Sequence, residues 1–153
     1  MTIRETIIAE ARSWIGTPYH HQAALKGVGC DCLGLVRGVW RAVYGADPET
    51  PPAYSRDWAE ALREETLADA AGRHMIPVAL DAFEPGDLLL FAINETAPAK
   101  HCAILVAPNR MIHAIESHPV AEVSFVPWWR NRLRFAFRFP KIRRPNRNNA
   151  SRR

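Results

Sequence analysis

Cys32 is the residue of this chain best placed to carry out chemistry. It follows Asp31 after a glycine-flanked turn, at the start of an apolar run, 33–40, that has helical spacing. A cysteine in the first turn of a helix lies at the positive end of the helix dipole, beside backbone N–H groups without partners inside the helix. Both features favour the thiolate. The position therefore predicts a nucleophilic sulfur with donors for an oxyanion beside it, as in a cysteine hydrolase.

Two histidines downstream supply the other groups that such a nucleophile needs. His101 begins an apolar segment, and His113 follows it across a predicted turn at 108–110. If the two segments are paired antiparallel strands, their imidazoles lie close together. We predict a line of Cys32, His101 and His113, in which His101 takes the thiol proton and His113 holds the tautomer of His101.

The elements that position these residues follow an α+β pattern, with helices first and consecutive strands afterwards. Predicted helices cover 3–14, 31–44 and 56–72, with Gly45 ending the second. Residues 46–56 are predicted to be irregular. Apolar runs bounded by turn residues predict strands at 88–91, 101–106, 111–115, 120–126 and 133–139. In the last strand, alternation of Arg130, Arg132, Arg134 and Arg138 with apolar residues predicts one solvated face and one core face.

Length and composition indicate one soluble globular domain, 1–140, followed by a tail. The chain has 153 residues, of which 48% are hydrophobic and 24% charged. Residues 1–129 carry 10 Lys and Arg against 16 Asp and Glu, a net charge of −6, whereas 130–153 carry 10 and none, a net charge of +10. The segment 141–153 is predicted to be a disordered basic tail that binds an anionic polymer or a protein surface. The acidic body argues against nucleic acid as the main ligand.

The sequence gives no indication of secretion through a signal peptide or of a membrane span. The first residues lack the apolar core of a signal peptide, and no apolar run is long enough to cross a bilayer. We therefore expect synthesis in the cytoplasm, followed by release on lysis or by assembly into a larger particle. Three cysteines cannot all pair, so a disulfide framework is not expected.

A zinc site is the alternative use of the same residue types. Cys30, Cys32, Cys102 and the two histidines are soft ligands of the kind that zinc prefers. The single residue between Cys30 and Cys32 is tighter than the usual ligand spacing, and Asp31 would crowd the ion. We therefore predict no metal and no cofactor, with Cys30 and Cys102 as structural thiols.

Four sequence blocks in this order resemble the NlpC-type cell-wall cysteine peptidases. The blocks are Gly16-Thr17-Pro18-Tyr19, Gly29-x-Asp31-Cys32-x-Gly34-Leu35-Val36, Pro85-Gly86-Asp87-Leu88, and His101 followed by Met111-Ile112-His113-Ala114. The resemblance covers about residues 3–138. It implies a papain-like α+β fold in which the cysteine helix packs on a small antiparallel sheet. It also implies hydrolysis of peptidoglycan stem peptides, typically between D-γ-glutamate and a diamino acid.

Carried over residue by residue, the resemblance assigns a role to each candidate. Cys32 matches the nucleophile, His101 the general base and His113 the third polar residue. Tyr19 matches a tyrosine whose hydroxyl lies near the oxyanion site. Asp31 matches an acid that we interpret as a helix cap or a contact for the substrate amine. His20 or His21 is a further candidate for the cleft beside Tyr19.

Two departures from the family pattern bear on the biological role. Leu33 replaces the usual serine after the nucleophile, and the insertion at 46–80, before Pro85, is long, which leaves open whether it gates the cleft. Short members without a signal peptide resemble those of phage tails and gene transfer agents, which implies a tail or hub protein as partner and delivery to the periplasm. The alternatives are a structural tail-tip component with little activity, and an amidase or acyltransferase on the same fold.

Overall fold

Four helices and two antiparallel sheets make up residues 1–49 and 65–142, the part of the chain that the computed structural model describes. The helices are α1 (Ile3–Ser13), α2 (Cys32–Tyr44), α3 (Thr66–His74) and α4 (Pro127–Arg130). The short strands β1 (Ala24–Leu25) and β2 (Gly29–Cys30) pair with each other. The larger sheet contains β3 (Ile76–Val78), β4 (Leu88–Phe91), β5 (His101–Ala107), β6 (Arg110–His113), β7 (Ala121–Ser124) and β8 (Leu133–Arg138).

The larger sheet has the order β3-β8-β4-β5-β6-β7, and all its neighbouring strands are antiparallel. β5 is an interior strand, since it pairs with β4 through Leu90 and Cys102 and with β6 through Ile104 and Ile112. The β5–β6 turn falls at Pro108 and Asn109, as the sequence predicts. This hairpin fixes the relative positions of the two histidines.

Helix α1 begins with a capping box that its sequence encodes. The Thr2 hydroxyl accepts a hydrogen bond from the Glu5 N–H at 3.2 Å, and the Thr2 N–H donates to the Glu5 carboxylate at 2.8 Å. Ile7 and Ala11, four residues apart, are fully buried against the sheet. The helix ends one residue before the predicted boundary.

Helix α2 packs closely against its neighbours because two of its residues are glycines. A β-carbon on Gly34 would lie 1.8 Å from the carbonyl oxygen of Ala23, and one on Gly38 would lie 2.1 Å from the Trp14 ring. The loop before β1 and the end of α1 therefore approach the α2 backbone directly. Gly45, in the left-handed region at φ 94°, ends the helix as predicted.

Both faces of the larger sheet are buried. Leu90, Cys102 and Ile104 pack with α1, α2 and α3 on one face, and Leu89 and Phe91 pack on the other. The second cluster also contains Ala103, Leu105, Met111, Phe125, Leu133 and Ala136, with Trp129 of α4 against it. Helices α1, α2 and α3 therefore cover one hydrophobic core, and α4 contacts the other.

The prediction of a solvated face on the last strand is wrong. Ala136 in β8 is 2% exposed, and Arg138, with a side chain 34% exposed, forms an ion pair with the buried Asp87. Arg130 and Arg132 lie in α4 and in the following turn, not in the strand. The arginines at alternating positions therefore lie in α4, in the following turn and in β8, and they do not share one face of a strand.

Asp87 joins α1 to the centre of the sheet. Its buried carboxylate accepts hydrogen bonds from Arg138 Nε and Nη2 at 3.1 and 3.0 Å, and from the Glu84 N–H at 2.8 Å. Arg4 Nη1 lies 3.4 Å from the same carboxylate and also donates to the Pro85 carbonyl oxygen at 2.8 Å. The Pro85-Gly86-Asp87 block is thus a structural anchor.

Several predicted segments differ in extent or lie outside the described residues. The described part of the predicted helix 56–72 is Thr66–His74, which ends two residues later. The segment 50–64, including most of the predicted irregular stretch, and the tail from 143 onward are outside the described residues. Strands β1, β2 and β3 and helix α4 were not predicted. In the described ranges, no helix combines the length and apolarity needed to cross a bilayer.

Candidate active site

Cys32 is the first residue of α2, and Asp31 caps the helix. One Asp31 carboxylate oxygen accepts from the Gly34 N–H at 2.7 Å, and the other accepts from the Gln22 N–H at 2.8 Å. The helix-cap interpretation of Asp31 is therefore confirmed, and its side chain is 3% exposed. The cap holds the half-buried Cys32 sulfur at the positive end of α2, 3.7 Å from the carbonyl oxygen of Lys100.

His101 and His113 form a hydrogen-bonded pair at one end of the sheet. His101 Nε2 lies 2.9 Å from His113 Nδ1, with the rings at 71° to each other. Because Nε2 of His101 engages His113, its Nδ1 is the ring nitrogen that remains for Cys32, with which His101 also hydrogen-bonds. The structure thus brings the three predicted residues together from α2, β5 and β6.

The surroundings of Cys32 favour the thiolate. Hydrogen bonding from Cys102 and then from His101 holds the pKa of Cys32 well below its ordinary value, although burial acts in the opposite direction. Cys102 is buried, and its Sγ lies 3.3 Å from the carbonyl oxygen of Cys32. Its hydrogen bond to Cys32 and its burial raise the pKa of Cys102 well above the ordinary value. Of this thiol pair, Cys32 is therefore the one that ionises more readily, and Cys102 is the hydrogen-bond donor.

His113 is a neutral imidazole. Burial, and next the charge of His101, lower the pKa of His113 to about 3. The side chain is 4% exposed. A neutral His113 can accept a hydrogen bond from the protonated His101 ring through its own Nδ1, and its low pKa leaves a proton taken from Cys32 on His101.

Cys30 is not part of the hydrogen-bonded group formed by Cys32, Cys102, His101 and His113. It is fully buried in the core, where burial raises the pKa of its thiol to about 12. Within residues 1–49 and 65–142, no three side chains of His, Cys, Asp or Glu are arranged to hold a metal ion. The positions of the described ligands therefore give the zinc alternative no support.

Trp129 is a site residue that the sequence analysis missed. Its ring stacks on His101 at 5.2 Å between centroids and 29° between planes, and meets His113 edge-on at 5.2 Å. The signal in the sequence is the dipeptide of tryptophans after Pro127, which starts the short helix α4. Nothing local in that pattern indicates a contact with the histidines.

The remaining predicted residues lie around the start of α2. Tyr19 is half-buried and forms an isolated parallel bridge with Cys30, beside the loop that leads to Asp31. His21 Nδ1 lies 3.9 Å from the Asp31 carboxylate, whereas His20 is exposed. Leu33 lines an apolar pocket of about 180 Å³ together with Val36, Trp40, Leu67, Met75 and Cys102.

Comparison with known proteins places this arrangement in a family. The sequence profile of the NlpC/P60 family matches residues 16–138, a span that contains Cys32, His101 and His113. The chain belongs to the NlpC/P60 family. The α+β fold predicted from the sequence is confirmed, since similar solved structures are NlpC/P60 domains.

Relatives of the NlpC/P60 chain include a curated hydrolase and several solved domains. The gamma-DL-glutamyl hydrolase of Bacillus subtilis is 25% identical over 144 residues, which cover 93% of this chain and 31% of that protein. The chain therefore spans about a third of that relative. The NlpC/p60 domain of the peptidoglycan hydrolase SagA is 25% identical with a TM-score of 0.64, covering 88% of this chain and 97% of that one. NlpC2 from Trichomonas vaginalis has a TM-score of 0.66 at 17% identity, covering 93% and 48% of the respective chains.

Proposed function

We propose that this chain is a cysteine endopeptidase that hydrolyses peptidoglycan stem peptides at the bond between D-γ-glutamate and the diamino acid. The observation that carries the proposal is the continuous line of side chains at the N-terminus of α2. Cys32 hydrogen-bonds with His101, and His101 hydrogen-bonds with His113 at 2.9 Å. This is the nucleophile, base and orienting group that acyl transfer by a thiol requires.

In the first step, the Cys32 thiolate attacks the carbonyl carbon of the scissile amide. A carbon–sulfur bond forms, the carbonyl π electrons move to oxygen, and His101 carries the proton that left the thiol. The carbon–nitrogen bond then breaks as His101 donates that proton to the departing amine. Neutral His113 holds the imidazolium through the Nε2–Nδ1 hydrogen bond during this transfer.

In the second step, water resolves the acyl-enzyme. The water oxygen attacks the thioester carbonyl carbon, and His101, now neutral, takes a proton from the water. The carbon–sulfur bond breaks, Cys32 leaves as a thiolate, and the new carboxyl group is released. The low pKa of Cys32, set by hydrogen bonding from Cys102 and His101, makes it a good leaving group.

The oxyanion formed in each step requires donors near the sulfur. Helix geometry gives the N–H groups of Cys32 and Leu33 no partner inside α2, while the Gly34 N–H is taken by Asp31. We assign the first two groups, with the hydroxyl of Tyr19, to the oxyanion. Asp31 acts on this site by fixing the helix start, and its contact with a substrate amine stays a prediction.

The choice of bond is supported by the nature of the relatives. The Bacillus subtilis relative is named a gamma-DL-glutamyl hydrolase, and SagA is described as a peptidoglycan hydrolase. A γ-glutamyl amide in a stem peptide satisfies both descriptions. Leu33, in place of a serine, lines an apolar pocket beside α2 and has no hydroxyl to offer a substrate, so we expect substrate contacts at this position to differ from those of serine-containing members.

Digestion of purified diaminopimelate-type peptidoglycan, with products identified by mass spectrometry, tests the proposal. The wild type should release fragments cut between D-glutamate and the diamino acid, and Cys32→Ala should release none while melting at nearly the same temperature. Cys30→Ala is the matched control, because Cys30 is buried outside the catalytic line, and it should cleave. Cleavage by Cys32→Ala would overturn the assignment of the nucleophile.

Delivery by a phage-like tail is the part of the proposal that rests on sequence resemblance alone. Mass spectrometry of purified particles from cells that express the chain would detect it as a tail component. Absence of cleavage by any folded variant would favour the structural tail-tip alternative. Transfer of the acyl group to an added amine, in place of hydrolysis, would favour the acyltransferase alternative.

A further inference from the structure

Trp129 covers the catalytic histidines from the face of the sheet opposite α2. Its indole lies 5.2 Å from the His101 ring at an angle of 29°, which is an offset stack, and 5.2 Å from the His113 ring at 84°. Both contacts are made by one side chain, so the indole spans the hydrogen bond between the two imidazoles.

The position of Trp129 is fixed by its surroundings. Its ring meets Phe91 of β4 edge-on at 5.1 Å and Trp128 at 4.7 Å. The following residue, Arg130, donates to the carbonyl oxygen of Phe125 at 3.1 Å and to the side chain of Asn109 in the β5–β6 turn at 2.6 Å. Helix α4 is thereby tied to the same hairpin that carries the histidines.

We propose that Trp129 is a positioning residue that keeps the His101 ring aimed at Cys32 and stabilises its protonated form through the face of the indole. The inference rests on the proposed thiol chemistry and adds a residue to it. A cation is attracted to the electron-rich face of an indole, best of all the aromatic side chains, whereas a neutral imidazole gains less from the same stack. The contact therefore favours the state with a thiolate and an imidazolium over the state with two neutral groups.

Among the described residues, Cys32 of α2 and His113 of β6 hydrogen-bond with His101, and the negative charge of the Cys32 thiolate itself favours a protonated His101. Asp31, beside Cys32, adds a second negative charge. The charged side chains of α4 itself, Arg130 and Arg132, lie over the rings of Phe125 and Trp128. Removing the Trp129 ring should thus change the proton affinity of the catalytic pair without removing a charge.

The test compares Trp129→Leu, Trp129→Phe and the matched control Trp128→Leu. Trp128 lies one position earlier in α4, is 51% exposed and packs against Arg132. With a soluble diaminopimelate-containing stem peptide, Trp129→Leu should lower kcat more than KM. It should also move the alkaline limb of the kcat/KM profile about half to one unit towards lower pH. Trp129→Phe should shift it less, and Trp128→Leu should leave it in place.

A second measurement needs no substrate. Iodoacetamide alkylates thiolates, with loss of iodide, and peptide mapping assigns the product to Cys32, since Cys30 and Cys102 are 0% and 1% exposed. At pH 6, alkylation of Cys32 should be about three- to tenfold slower in Trp129→Leu than in the wild type. Trp129→Phe should be intermediate.

The two measurements separate the inference from the proposed function. If the wild type cleaves no stem peptide but the alkylation rates differ as expected, the proposed function fails and the inference stands. Equal alkylation rates and unmoved pH limbs in Trp129→Leu would overturn the inference, even if activity falls, because uniform loss indicates a packing role only. If Trp129→Leu does not fold, Trp129→Phe decides the question by the same two readouts.

Discussion

His101 Nε2 lies 2.9 Å from His113 Nδ1, and this contact leaves Nδ1 as the ring nitrogen of His101 that can face Cys32. The pKa of His113, lowered to about 3, keeps this ring neutral, and we assign its Nδ1 as the acceptor because only that tautomer can receive a hydrogen bond from the Nε2–H of a protonated His101. His101 consequently holds its proton at Nε2 and presents Nδ1 towards Cys32. The pair thus behaves as one oriented base, with a defined direction for proton transfer.

Two substitutions of His113 should show that its role is to orient the His101 ring, while His101 itself transfers the proton. His113→Leu removes the acceptor for His101 Nε2, so we expect kcat to fall about 100-fold, with a smaller change in KM. His113→Asn keeps an acceptor oxygen and should retain activity within about tenfold of the wild type. Steady-state kinetics on a stem peptide checks this. Equal activity of the leucine variant and the wild type would remove His113 from the catalytic line.

The buried, neutral His113 should also make stability depend on pH. Its folded pKa of about 3 lies below the unfolded value of 6.5, so the unfolded state binds more protons between these limits. The contribution of His113 to stability is complete above pH 6.5 and is lost progressively as the pH falls towards 3. Between pH 7 and pH 5 the loss should be about 2 kcal/mol.

Urea unfolding of the wild type and His113→Asn at the two pH values isolates this contribution, because the other titrating groups are common to both proteins. The difference between their free energies of unfolding should shift by about 2 kcal/mol in favour of the variant at pH 5. Parallel pH dependences of the two proteins would contradict the burial of a neutral His113.

Asp87 should be critical for stability and irrelevant to the chemistry. Asp87→Asn removes the charge that pairs with Arg138, whose own side chain is 34% exposed, so we expect the free energy of unfolding to fall by about 2–3 kcal/mol. Glu84→Gln is the matched control, because Glu84 contacts Arg4 at 3.0 Å with a side chain that is 62% exposed. That change should cost no more than about 1 kcal/mol. Similar losses in the two variants would show that burial of the Asp87 pair is unimportant.

Two glycines in helices should respond to alanine in opposite directions. Gly38→Ala forces a β-carbon into the buried Trp14 ring and should destabilise the protein by about 2 kcal/mol or more. In α3, the atom nearest to a β-carbon on Gly72 would be 3.9 Å away, so Gly72→Ala should stabilise by about 0.5–1 kcal/mol. Thermal melting of both variants checks the sign of each change, and a stabilised Gly38→Ala would show that α1 and α2 are not in close contact.

The catalytic line was predictable because each of its members is marked by local sequence. Cys32 follows a capping aspartate at the start of an apolar helical run, and the two histidines flank a turn that pairs their strands. Helix and strand periodicity was sufficient to locate α1, α2 and the central strands. Their boundaries were accurate to within a few residues.

The features that were missed depend on contacts distant in sequence. Strands β1 and β2 have two residues each, too few for any periodicity, and β3 contains Pro77, which weakens a strand pattern. The stacking of Trp129 on His101 results from how α4 packs on the second hydrophobic core. The ion pair of Arg138 with buried Asp87 joins strands β8 and β4, and the local alternation gave no sign of it.

Because side chains alternate along β5, successive residues of this strand reach opposite faces of the sheet, and both faces contribute to the site. His101 points to the face covered by Trp129, while Cys102, the next residue, points to the helix side and approaches Cys32. A slip of one residue in the pairing of β5 would exchange them, burying an imidazole among aliphatic side chains and placing a thiol beneath the indole. The proposed activity therefore depends on strand register, and an insertion or deletion early in β5 should abolish it even if Cys32, His101 and His113 were all retained.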